Sequence, residues 1–97
     1  MKSTNEYLTL LRQYMDSHAG KYGIVRMRIF GSVARGEQTE NSDVGICFEA
    51  PAPNLLTLAR IKFDLEALLG SRVDLVRLRD RMDEYLKRNI EKEALYV

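Results

Sequence analysis

The sequence predicts an α+β fold, a small mixed β-sheet covered by helices. Apolar residues recur at helical spacing in some stretches, alternate at strand spacing in others, and the two kinds interleave along the chain. The one Pro-rich connector, "EAPAPN" (Glu49 to Asn54), is short enough to join adjacent elements, so 1–97 reads as a single domain, near the low end for a self-sufficient core.

A first helix runs from about Ser3 to His18. Ser3 or Thr4 can cap it, and Glu6 in its first turn suits the helix dipole. Tyr7, Leu8, Leu11, Tyr14, Met15 and His18 repeat at helical spacing, and Gly20 is the expected stop. His18, the sole histidine, reads as a surface cation favoured by the helix C-terminus. "GIVRMRIF" alternates, with Val25, Met27 and Ile29 on one face and Arg26 and Arg28 on the other. Gly31-Ser32 follows, then a short helical turn and a polar loop. "DVGICFE" is a second strand, with Val44, Ile46 and Phe48 opposite Asp43, Gly45 and Cys47. Leu55 to Leu69 is an apolar helix whose stripe is Leu55, Leu58, Ile61, Leu65, Leu68 and Leu69, ended by Gly70. "SRVDLVRL" is a third strand carrying Asp74. A last helix from about Arg81 turns Met82, Tyr85, Leu86, Ile90 and Leu95 inward, and the terminal "LYV" can return to the sheet. Tyr85, Leu95 and Tyr96 can serve either as core or as partner contacts.

Fifteen basic side chains against 14 acidic ones leave a net charge of +1, which argues against general nucleic-acid or membrane binding. Cys47, the only cysteine, lies in an apolar run and reads as a buried, inert thiol. The N-terminus has no signal-peptide pattern, and no segment approaches the ~20 apolar residues of a membrane span. A cytoplasmic location is the expectation.

Two features carry possible chemistry. Gly31 lets backbone approach a ligand, and Ser32 adds a hydroxyl able to donate to a phosphate oxygen. Asp43 begins one strand and Asp74 lies within another; if those strands are neighbours, the carboxylates converge and can help hold a hard cation such as Mg²⁺ beside phosphates. On the other reading, Asp43 merely ends a loop and Asp74 pairs with an arginine such as Arg72. Arg35 and Lys62 are candidate triphosphate contacts or solvated surface charges. Arg26 and Arg28 are placed to neutralise the two aspartates.

"GSVARGEQTENSDVG" with "RVDLV" resembles the minimal nucleotidyltransferase family of the DNA polymerase β-like superfamily. The family pattern is Gly-Ser, ten residues, Asp-x-Asp on a strand, and a further Asp on a later strand. Gly31-Ser32 matches, Val33 to Ser42 are the ten residues, Asp43 matches the first carboxylate and Asp74 the third. "ARGE" (Ala34 to Glu37) and the terminal "EALYV" fit as well. The resemblance implies a polymerase β-like nucleotidyltransferase fold and transfer of an NMP unit, with release of pyrophosphate, from ATP (as AMP) or from another NTP (as its own NMP) to a hydroxyl on a partner macromolecule. It implies Gly31, Ser32 and Arg35 at the nucleotide, and Asp43 and Asp74 as catalytic Mg²⁺ ligands. It also implies a neighbouring HEPN-domain protein as partner, with this chain the antitoxin of a toxin–antitoxin pair; some such antitoxins AMPylate a tyrosine of the toxin. Homo-oligomer formation stays open.

The departure is Gly45, which stands where the family has its second metal-binding aspartate. Two divalent ions at ~4 Å repel by roughly 16 kcal/mol at an effective dielectric of ~20, and a bridging carboxylate offsets that repulsion. Glycine supplies none. Glu49 lies ~13 Å further along the strand and cannot substitute; Glu37, in the loop, can approach. Impaired transfer is therefore one expectation, and a catalytically inactive module that neutralises a HEPN-type partner by complex formation is the other.

Overall fold

A computed structural model describes residues 2–51, 53–78, 87, 88, 90, 92 and 94–97. Helix α1 (Thr4–Tyr22) begins at a reciprocal cap. The Ser3 hydroxyl accepts from the Glu6 N–H, and the Glu6 carboxylate accepts from the Ser3 N–H, both at 3.2 Å. The helix runs through Gly20, the expected stop, and ends at Gly23 in the left-handed region (φ 69°). Ala19 and Tyr22 pack against the core in that extra turn. Their burial outweighs the ~1 kcal/mol that an interior glycine costs a helix. His18 is not simply a surface cation: its ring stacks on Tyr14 at 4.4 Å and faces Tyr22 at 6.0 Å between centroids.

The sheet holds β1 (Arg26–Phe30), β2 (Val44–Glu49), β3 (Val73–Arg77) and β4 (Leu95–Tyr96), in spatial order β3-β2-β1-β4. β1 lies antiparallel to β2 and to β4, and β2 lies parallel to β3. The parallel pair requires a crossover, which α2 (Leu55–Leu69) supplies. Asn54 caps α2 by accepting from the Thr57 N–H at 2.8 Å, and Gly70 ends it at φ 66°. The terminal "LYV" does return to the sheet, as β4.

Met27, Ile29, Val44, Ile46, Phe48 and Val73 turn to one sheet face and form the main core with α1 and α2. Ile61, Leu65 and Leu69 are fully buried there, with Leu58 and Leu68 partly so. Leu55, expected in the same stripe, is exposed. Val25 is likewise exposed and precedes β1.

The second face is covered in part by a smaller cluster of Cys47, Leu78 and Ile90, with Phe30, Val76 and Ala94 against it. Cys47 is buried, as expected. Strand alternation places Arg28 on this face, yet only 7% of it is exposed. Its guanidinium lies 4.4 Å from the centroid of the Tyr96 ring on β4, and its Nε has no hydrogen-bond partner among the described residues. Of the last predicted helix, Lys87, Arg88, Ile90 and Lys92 are helical, and Ile90 is buried. Met82, Tyr85 and Leu86 lie outside the described residues. Leu95 belongs to β4 and is exposed together with Tyr96. Among the described residues, no helix is long and apolar enough to cross a membrane.

Candidate functional site

The end of β1 lies beside the beginnings of β2 and β3, because Phe30 pairs with Gly45 and Gly45 pairs with Asp74. Every candidate motif gathers at this end. Gly31 leaves β1 with φ 77°, a conformation that favours glycine, and Gly36 repeats it at φ 71°. Residues 31–36 form a single helical turn that does not continue into a helix: the Arg35 N–H donates to the Gly31 carbonyl at 3.2 Å and the Gly36 N–H to the Val33 carbonyl at 3.1 Å. The loop is fastened from beneath. Val33 is buried in the core, its carbonyl accepts from the Thr4 hydroxyl at 2.7 Å, and the Gln38 amide donates to the Lys2 carbonyl at 3.2 Å. A turn that presents Gly31 and Ser32 is thus held by α1.

Asp43 immediately precedes β2 and Asp74 lies within β3; both are exposed. Alternation along the parallel pair puts Asp43, Gly45 and Asp74 on the same sheet face, opposite the main core. β2 and β3 are neighbours, which is the condition set for the two carboxylates to converge. The expected pairing is not the one found: Arg72 pairs with Asp43, at 3.2 Å, and not with Asp74. Arg26 and Arg28 do not neutralise the aspartates. Arg26 pairs with Glu49 at 3.6 Å, and Arg28 stacks on Tyr96. Arg35 is exposed and donates to Glu37 at 3.1 Å, which also gives Glu37 a partner away from the missing-ligand position. Lys62 is on α2, which packs against the reverse face, and it stands apart from this constellation.

Gly45 decides what the site can hold. A Cβ built there would lie 2.8 Å from the Phe30 carbonyl oxygen and 3.0 and 3.1 Å from two carbons of the Phe30 ring. A side chain could begin at this position only if the end of β1 shifted. The remaining residues do not fit a two-metal centre: two aspartates stand on the face, one held by Arg72, and the bridging position is closed. Among the described residues, no group of three or more His, Cys, Asp or Glu could hold a metal ion. Sequence reasoning missed Phe30, whose signal was only an aromatic residue at the strand end before Gly31.

Comparison with known proteins gives this arrangement a family. Residues 8–97 match the nucleotidyltransferase domain. A candidate protein adenylyltransferase of Methanocaldococcus jannaschii is 38% identical over the whole of both chains. The protein adenylyltransferase MntA of Thermococcus cleftensis is 33% identical over 100% of this chain and 98% of its own. A solved structure of a candidate minimal nucleotidyltransferase superposes with a TM-score of 0.82 at 38% identity, covering 99% of this chain and 97% of that one. An MNT antitoxin, solved in complex with a tri-AMPylated Shewanella oneidensis HEPN toxin, shares the fold at 21% identity, with a TM-score of 0.61 over 96% of this chain and 66% of that one. The chain belongs to the nucleotidyltransferase-domain family, among the minimal nucleotidyltransferases homologous to MntA.

Proposed function

We propose that this protein is the antitoxin-type partner of a HEPN-domain protein in the cytoplasm, that it restrains that partner by forming a complex, and that its own transfer of AMP from ATP is lost or heavily reduced. One observation carries the reading: position 45 supplies no carboxylate, and a Cβ added there would run into the Phe30 carbonyl and ring. The fastened turn at Gly31 and Ser32 keeps a backbone and a hydroxyl able to face phosphates, so binding of ATP or another NTP is separable from transfer. Asp43 and Asp74 remain as ligands for at most a Mg²⁺ ion carried in by the nucleotide.

The test uses the HEPN-domain protein encoded beside this one. The two are mixed with Mg²⁺ and α-labelled ATP, and both complex formation and label on the partner are followed. The expected result is a stable complex with no label above background. Efficient labelling by the chain as it stands would overturn the reading, and absence of any complex would remove the antitoxin assignment.

A further inference from the structure

We propose that the outer face of α2, together with the end of α1, docks an acidic amphipathic helix of a partner protein. The inference is independent of the nucleotide site, which lies on the other side of the sheet. Leu55, Leu56 and Phe63 are 82%, 83% and 70% exposed, and with exposed Ala59 they form an apolar stripe along one helix. Single exposed apolar residues are ordinary, but a run of them on one helix face marks an interaction surface.

Two hollows flank the stripe. A hollow of about 700 Å³ between α2 and the end of α1 includes Lys21, Leu56, Arg60 and Phe63 in its lining. A second, of about 270 Å³, includes Leu55, Lys62, Leu75 and Arg77. Ala59 lines both, so its small side chain is the saddle between them. Paired hollows beside a small residue suit the side-chain knobs of a helix laid across α2. A lipid surface offers no knobs to fill them.

Charge selects the partner. Lys21, Arg60, Lys62 and Arg77 line the two hollows, and among the described residues no Asp or Glu lines either. The nearby Asp64 is already engaged, accepting from the Tyr14 and Tyr22 hydroxyls at 3.1 and 3.2 Å. The first turn of α2 carries no acidic side chain to offset its dipole. Two-fold pairing of this face with a second copy would set Arg60 and Lys62 against their own equivalents, which like-charge repulsion opposes. Carboxylates flanking an apolar stripe complement the rim.

The probe is a synthetic helical peptide with Leu at positions i, i+3, i+4 and i+7 and Glu elsewhere; its twin carries Lys in place of Glu. Both are titrated into the isotopically labelled full chain, alone and without nucleotide, so the outcome is separate from that of the HEPN test. The acidic peptide is expected to shift the amide resonances of Leu56, Ala59 and Phe63. Its Kd is expected to rise at least tenfold in Phe63→Ser and in the Arg60→Glu/Lys62→Glu double variant, with the melting temperature unchanged. No binding, equal binding of the Lys twin, or shifts confined elsewhere would overturn the proposal. Tighter binding to phosphatidylserine vesicles than to the peptide, or a sedimenting dimer abolished by Phe63→Ser, would overturn it in favour of a membrane or a second copy.

Discussion

The contact between Gly45 and Phe30 makes a prediction that runs against the simplest repair of the site. Restoring the missing carboxylate by Gly45→Asp adds a Cβ 2.8 Å from a backbone oxygen, closer than real Cβ atoms come, with the Phe30 ring at 3.0 and 3.1 Å behind it. The nearest atom is backbone, so a rotamer change cannot relieve the overlap; the end of β1 must move away from β2. Gly45→Ala isolates this effect. Overpacking of that kind costs about 1–3 kcal/mol, and relief of glycine's backbone entropy returns about 0.5–1 kcal/mol. The net loss is centred on about 1 kcal/mol, between limits of about 0 and 2.5 kcal/mol, and lowers the melting temperature of a domain this size by about 4–8 °C. Gly45→Asp adds a carboxylate in register with Asp74, a like-charge neighbour in a buried position, for about 1–3 kcal/mol more. Thermal and urea unfolding of Gly45→Ala, Gly45→Asp, Phe30→Ala and the Phe30→Ala/Gly45→Asp double variant measure these terms. The double variant is expected to recover only the share due to the ring, because the carbonyl remains. Gly45→Asp alone is expected to gain no AMP transfer. A Gly45→Ala variant as stable as the parent, or transfer restored by Gly45→Asp alone, would refute the reasoning.

Three further outcomes follow from other parts of the fold. The Arg72–Asp43 pair is exposed, so Arg72→Ala is expected to change unfolding free energy by less than about 0.5 kcal/mol in urea titrations. Burial, and then the Asp64 charge and hydrogen bond, push the Tyr14 hydroxyl well above the ordinary tyrosine range. Above pH ~10 the unfolded chain therefore loses this proton while the native chain keeps it. Stability falls with rising pH there, by up to ~1.4 kcal/mol per pH unit, and Tyr14→Phe removes that component in urea melts compared at neutral and alkaline pH. Cys47 is fully buried, so it is expected to react with a thiol reagent only at the rate of unfolding and at once in denaturant.

Much of the fold was legible because each element has its own local signal. The 61–65–69 spacing marks the buried side of α2, and the alternation of Val44, Ile46 and Phe48 marks the core face of β2. Ends were less legible, since α1 passes Gly20 for contacts made by Tyr22, which a local pattern does not contain. Of the site, the Gly31-Ser32 turn and the shared face of Asp43 and Asp74 follow from spacing once β2 and β3 are neighbours. The partners of the charges did not follow. Arg72 reaches Asp43 across the strand pair, and Arg28 is enclosed by a strand arriving from the far end of the chain.

The sequence alone determined that position 45 lacks a side chain, and with it any ligand, because that is a matter of covalent composition. Only the tertiary structure decided that the vacated volume is filled and by what. The antiparallel pairing of β1 with β2 brings the Phe30 carbonyl and ring over Gly45, and close packing leaves two sets of atoms no common space.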